Sequence, residues 1–199
     1  MNAQAAHPGR PRDRRLDEAI LEAALAVFLE RGYIATSISE IARRAGLGTP
    51  AFYRRWPTKA ALAIDVTAHW SAEEPIPDTG SIRDDLLEFL RFRIRMFGTP
   101  FFHRVLLPVV LEAAAKPGLS EAIGARFLDY RRPMDARIRA AIASGELRAG
   151  TDPHMLIDLL MGTVSMPLLF SQSLPSEAEA ETIVDQVLEG FAAPKPMPD

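Results

Sequence analysis

Cysteine is absent from this chain, which excludes disulfides and thiolate chemistry and fits a cytoplasmic protein. No apolar run approaches the ~20 residues that span a bilayer. The arginines near the N-terminus have no apolar stretch behind them, so neither a membrane partner nor a secretory signal is expected. The four histidines, His7, His69, His103 and His154, are scattered without metal-ligand spacing. G-x-S-x-G, P-loop and Rossmann glycine patterns are missing, and so is the alternation that marks strands. These gaps predict a protein with no catalytic residues, no metal and no cofactor. A helical enzyme stays as a remote alternative that would need residues brought together only by folding.

What is present is ordinary in bulk and uneven in placement. The 199 residues are 48% hydrophobic and 25% charged, enough for one large domain or a small one joined to a larger. Ten lysines and arginines face seven carboxylates through residue 70, and thirteen face nineteen beyond it, within a net charge of −3. A basic end on an acidic body suits a polyanion partner at that end. A solvated surface with chance clustering fits the same charges.

Residues 1–14, rich in Ala, Pro, Gly and Arg, are expected to form a flexible basic arm. From Leu16 an apolar stripe through Ile20, Ala24, Val27 and Phe28 predicts a first helix that Gly32 ends. Ser37 and Glu40 have capping-box spacing and open a short second helix closed by Gly46. Thr49-Pro50 reads as N-cap and first residue of a third, and Lys59 starts a fourth running to about residue 72. Beyond the 73–80 linker only helices are expected: from Ser81, from Thr99-Pro100, from Ser120 after "KPG", from Asp152-Pro153 and from Ser176. Residues 193–199 read as a frayed tail. The fold class predicted is all-α with about nine helices: a helix-turn-helix domain over 15–62, and a helical effector-binding and dimerisation domain over 73–192.

"AGLGTPAFYRRWPTKAAL", Ala45 to Leu62, holds two glycines, two prolines, three aromatics, Arg54, Arg55 and Lys59. Phe52 and Trp56 are four apart and share one face, large enough to dock on the first helix. Pro50 and Arg54 lie roughly opposite, with Thr49 and Tyr53 on one flank and Arg55 on the other. Helix, helix, tight glycine turn and helix form a helix-turn-helix, whose last helix suits a DNA major groove. Thr49, Pro50 and Arg54 are therefore candidates for base readout, Arg54 by a two-pronged contact to guanine. Arg43 and Arg44 reach toward the backbone or are simply solvated. Arginines of the arm, Arg12 and Arg14 among them, either enter a minor groove or belong to a tail without contacts.

Residues 31–62 resemble the TetR family of bacterial transcriptional regulators. "RGYIATSISEIARRAGL" and "FYRRWPTKAAL" carry the resemblance, with Gly32, Tyr33, Thr36, Ile41, Ala42, Gly46, Tyr53, Trp56, Pro57 and Lys59 in the family's order and spacing. The turn departs from the common pattern at Gly48, Thr49, Pro50 and Ala51, and Trp56 replaces a frequent Phe, which leaves the anchoring intact and the base preference open. The resemblance implies phosphate contacts from Thr36 or Ser37, Tyr53 and Lys59. It implies a homodimer on a palindromic double-stranded operator, since one such unit is too small to specify a genomic site. It also implies a small apolar or amphipathic effector that releases repression by moving the reading helices through helix four, and a cytoplasmic location. Activation, or an architectural DNA-binding role without an effector, is the alternative.

The resemblance further places the dimer interface on the last two helices, with Leu156, Leu159, Leu160, Thr163 and Pro167 on one and Ile183, Val187 and Phe191 on the other. Apolar stripes facing the monomer's own core would show the same pattern. Met96, Phe97, Phe101, Phe102, His103, Leu106, Val110, Phe127, Met134 and Met161 are candidates for an effector pocket, adaptable residues that equally suit an ordinary core. Pro108, Pro133 and Pro167 fall inside helical runs and predict kinks.

Overall fold

The computed structural model describes residues 14–70, 77–171 and 173–191, with side chains for all of these except 14, 15, 122 and 126–130. Most of the expected arm, with Arg12, and the 193–199 tail lie outside the described residues, as do the side chains of Arg14 and Phe127. Among the described residues there are nine helices and no strand: α1 Arg14–Ala35, α2 Ile38–Arg44, α3 Thr49–Tyr53, α4 Lys59–Trp70, α5 Ile82–Phe97, α6 Phe102–Ala114, α7 Pro117–Ser144, α8 Pro153–Phe170 and α9 Glu177–Glu189.

Side-chain caps set four of these starts. Ser37, Ser81, Asp152 and Ser176 each accept a backbone N–H from the first turn behind them. Glu179 returns the bond to Ser176 and completes a capping box. Glu40 does not return one to Ser37; its carboxylate pairs with Arg31 at 2.9 Å instead. Two starts differ from expectation for the same reason. Gly48, not Thr49, caps α3, and Pro117 opens α7 ahead of Ser120. Proline tolerates the first turn because its missing N–H has no partner there.

Two apolar cores organise the chain. Ile20, Ala24, Val27 and Phe28 of α1 pack with Ile41, Phe52, Trp56, Leu62 and Val66 in the first. Leu86, Leu90, Phe97, Met134, Ile138, Leu156, Leu160 and Val184 form the second. Helix α6 belongs to both, giving Phe102 to the second core and Val105 and Val109 to the first, which Phe101, at the N-cap of α6, joins. Phe101 therefore stacks on Trp70, ring centres 4.6 Å apart, and is not in the interior of the C-terminal domain, where the pocket was expected. The expected distortion at Pro108 appears one turn earlier, as a π turn over Phe102–Leu106. Proline cannot donate to the carbonyl four residues back, and widening the preceding turn relieves the clash between its ring and that carbonyl. Together α5 and α6 bend by 69°.

Candidate nucleic-acid interface

Helix α3 is a single turn that ends at Tyr53, and with Arg54–Trp56 behind it, where the Trp56 backbone N–H donates to the Phe52 carbonyl at 3.1 Å, its residues divide as the sequence predicts. Phe52 is fully buried and Trp56 nearly so, their ring centres 5.4 Å apart. The Trp56 indole N–H donates to Asp65 of α4 at 2.9 Å, satisfying its one polar atom. Tyr53 stays 48% exposed, and Pro50 and Arg54 face solvent while Thr49 is half-buried. Arg55 turns the other way, its Nε donating to Asp17 at 2.6 Å.

The cations implicated in backbone contact differ in availability. Arg44 donates to Glu30 at 2.7 Å, an exposed pair that lowers the Glu30 pKa and raises that of Arg44. Arg43 and Arg54 are exposed and make no ion pair among the described residues. Ser37 is exposed at the start of α2.

Thr36 and Lys59 depart from the phosphate contacts that the resemblance implies. Thr36 is buried and its hydroxyl donates to the Gly32 carbonyl at 2.7 Å, so it faces inward. The Lys59 ammonium donates to three carbonyls at the end of α1: Tyr33 at 2.8 Å, Thr36 at 3.0 Å and Ile34 at 3.3 Å. It lies 4.4 Å from the Tyr33 ring centre, and burial pulls its pKa below that of ordinary lysine. Gly32 interrupts α1 with non-helical angles, φ 78° and ψ 162°, and the carbonyls beyond this break need donors from outside the helix, which the ammonium supplies. Lys59 closes α1.

A second cation does so from α6. Arg104 donates to the carbonyls of Leu29 at 2.7 Å and Glu30 at 3.1 Å. Gly32 turns the chain at this junction: its φ is +78°, a left-handed backbone that a residue without Cβ adopts at little cost. The Tyr33 hydroxyl completes the junction, donating to Glu112 at 2.6 Å across 79 residues of sequence. Burial first, and then Glu112, raise the Tyr33 pKa well above that of a free phenol. Lys116, and then Tyr33, hold Glu112 below the usual carboxylate range. Sequence reading missed these roles of Arg104 and Glu112, and only Gly32-Tyr33 hinted at a junction.

In the C-terminal domain Leu156 and Leu160 are fully buried in the monomer core, which corrects their expected place in a dimer interface. Each points inward from α8, and the opposite stripe is the exposed one: Met155, Leu159, Met166, Leu169 and Phe170, the last 79% exposed. Thr163 and Pro167 are half-buried beside it, as are Ile183, Val187 and Phe191, which pack on the core. Helix α8 is also long and apolar enough to cross a membrane by length and composition, which the sequence reading did not anticipate. Of the pocket candidates, Met96, Phe97, Phe102 and Met134 are buried in the second core, and Leu106 and Met161 lie half-buried against it. His103 and Val110 face solvent, which corrects both as lining residues.

Comparison with known proteins agrees with this layout. Residues 20–66 match the family model described as "Bacterial regulatory proteins, tetR family". Residues 76–187 match "Tetracyclin repressor-like, C-terminal domain". The uncharacterized HTH-type transcriptional regulator YdeS of Bacillus subtilis (strain 168) is 30% identical over 192 residues, covering 93% of this chain and 94% of YdeS. The crystal structure of the TetR family transcription regulator SCO0332 superposes with a TM-score of 0.78 at 30% identity, covering 88% of this chain and 98% of that one. The regulator FadR from Bacillus subtilis, solved in complex with stearoyl-CoA, shares the fold at a TM-score of 0.64 and 21% identity, covering 87% of this chain and 98% of FadR. With its reading helix clamped from behind by two aromatics and its second domain matched along its length, this chain belongs to the TetR family of helix-turn-helix transcriptional regulators.

Proposed function

We propose that this regulator is a homodimeric repressor that sits on a palindromic operator in the bacterial cytoplasm and is released by a small apolar or amphipathic ligand. The observation that carries the DNA half is the division of α3: Phe52 and Trp56 are packed on the domain core while Tyr53 and Arg54 stand outside it. Arg43 and Arg54, exposed and without an ion pair among the described residues, supply the charge for phosphate and base contact. The exposed stripe of α8 supports the dimer. Five large apolar side chains on one helix face exceed the scattered exposure normal for a monomer, and a second copy would cover them with their like.

The effector half rests on the apolar interior of α5 to α8, and on the stearoyl-CoA held by FadR of like fold. A ligand changes operator affinity only through a difference in its affinity for two arrangements. The hydrogen bonds of Arg104 and Glu112 to α1 support a route from α6 directly into the reading domain, beside the route through α4. The test is selection of duplexes from a random pool by the full chain, followed by footprinting and titration with fatty acyl and aromatic compounds. Selected sites with two inverted half-sites, freed by one compound class, are the expected result. Binding without sequence preference would refute the reading.

A further inference from the structure

Arg54 and Arg55 are neighbours of one type with opposite fates, and the difference lies in Asp17. Arg54 is exposed. The Arg55 side chain is 23% exposed, and Nε donates to the carboxylate of Asp17, itself 26% exposed, at 2.6 Å. A second Arg55 nitrogen reaches the Ala51 carbonyl of α3 at 3.5 Å. The pair thus joins the first turn of α1 to the end of α3.

A five-residue helix has too few hydrogen bonds to hold its own direction, and α3 has no side-chain cap at its start. Its orientation must come from tethers. The packing of Phe52 and Trp56 sets how deeply the turn sits, but apolar contact is non-directional, and the directional Trp56 indole N–H to Asp65 at 2.9 Å ties the turn to α4, not to α1. A charge-assisted hydrogen bond is directional, and it acts on a side chain one residue from the base-reading candidate. The carboxylate stands in the first turn of α1, where the helix dipole favours an anion.

We propose that Asp17, through Arg55, sets the rotation of the reading helix and so determines base preference, without touching DNA itself. Asp17 is then a positioning residue, and it also withdraws one cation from the DNA face, which suppresses binding to unrelated sequence. The proposal rests on the DNA-binding reading above and assigns that reading a specificity determinant.

The experiment compares the full chain with D17N, R55Q and the exchange of Asp17→Arg with Arg55→Asp. Each is titrated, across a salt series, against a duplex selected by the wild type and an unrelated duplex of equal length. D17N and R55Q should each narrow the ratio of selected to unrelated affinity by about tenfold, on the scale of one lost base contact. D17N alone should bind the unrelated duplex more tightly, because it frees the Arg55 guanidinium, with a salt slope steeper by up to ~0.9 per protomer. The exchange should recover the ratio. Parallel loss on both duplexes with a fallen melting temperature would overturn the proposal in favour of a purely structural pair. A shallower slope in R55Q would overturn it by placing Arg55 on phosphate. Variants that match the wild type on both duplexes overturn this proposal alone, whereas a wild type that selects no duplex overturns the DNA-binding reading as well.

Discussion

Replacing Lys59 with methionine separates two roles for one ammonium. Methionine keeps an apolar stem of similar length over Tyr33 and removes the charge and all three donors. Those donors reach the Tyr33, Thr36 and Ile34 carbonyls at 2.8, 3.0 and 3.3 Å. Hydrogen bonds from a charged group are worth ~1.5–3 kcal/mol each, but they do not simply add here. Burial lowers the Lys59 pKa, so a desolvation cost already offsets part of the gain, and the side chain keeps some contact with water. The net loss in K59M should be about 1–3 kcal/mol, which leaves a typical ~5–15 kcal/mol domain folded. For a chain of this size that lowers the melting temperature by roughly 2–12 °C. Since the three N–H groups are donated inside the protein, the salt slope of operator binding should change by much less than the ~0.9 expected per lost phosphate contact. Calorimetry and a salt titration of the same preparation check both. A K59M variant with unchanged melting and a slope shallower by about one per protomer would refute the reasoning and return Lys59 to the DNA backbone.

Tyr33→Phe should weaken the release of operator by effector more than it weakens operator binding, because it cuts α1 from Glu112; equal losses in both would refute the coupling. Its stability gap to the wild type has a predictable pH range. The Glu112 pKa is lowered from 4.5 and the Tyr33 pKa raised from 10.0, so the bond's contribution is present between those ordinary values. It fades only as pH falls through the lower carboxylate value or rises through the higher phenol value, which denaturant melts across pH will show. Leu159→Asp should shift the proposed dimer toward monomer in sedimentation and leave the monomer within about 0.5 kcal/mol of wild type. Leu156→Ala should instead cost about 2–5 kcal/mol of folding stability, and the reverse pattern would refute the assignment of the two stripes. Arg54→Ala should relax preference at one base pair by ~1–3 kcal/mol, whereas Arg43→Ala should weaken all duplexes alike and flatten the salt slope; selection and salt titration distinguish them.

Local chemistry made much of this protein readable without coordinates. Helix starts followed from Ser, Thr and Asp ahead of apolar stripes, and Gly46 of the turn followed from a left-handed backbone that other residues adopt at a cost. The split of α3 was visible because Phe52 and Trp56 are four residues apart, and that spacing alone puts them on one face. The errors were of one to three residues at helix starts, of one face of a helix, or of a polar side chain's partner. Thr49 was expected one place too early in its helix, and Leu156 was set in the interface although Leu159, three residues on, faces outward. An apolar stripe has the same period whether a neighbouring helix or a second copy covers it.

The amino-acid order thus determined which segments are helical, which residues of the reading turn are anchors, and where the basic end lies, because caps, glycine stops and four-residue spacing act within a few positions of the chain. The destination of each polar side chain was decided only by tertiary structure. Arg55 was withdrawn and Arg54 left exposed because Asp17, 38 residues away, reaches one and not the other. Lys59 and Arg104 were spent on the end of α1, and Tyr33 was joined to Glu112 across 79 residues, because helix packing brought unsatisfied carbonyls and a carboxylate within hydrogen-bonding distance. A charge acts over a few ångströms of space, and sequence separation does not measure that distance.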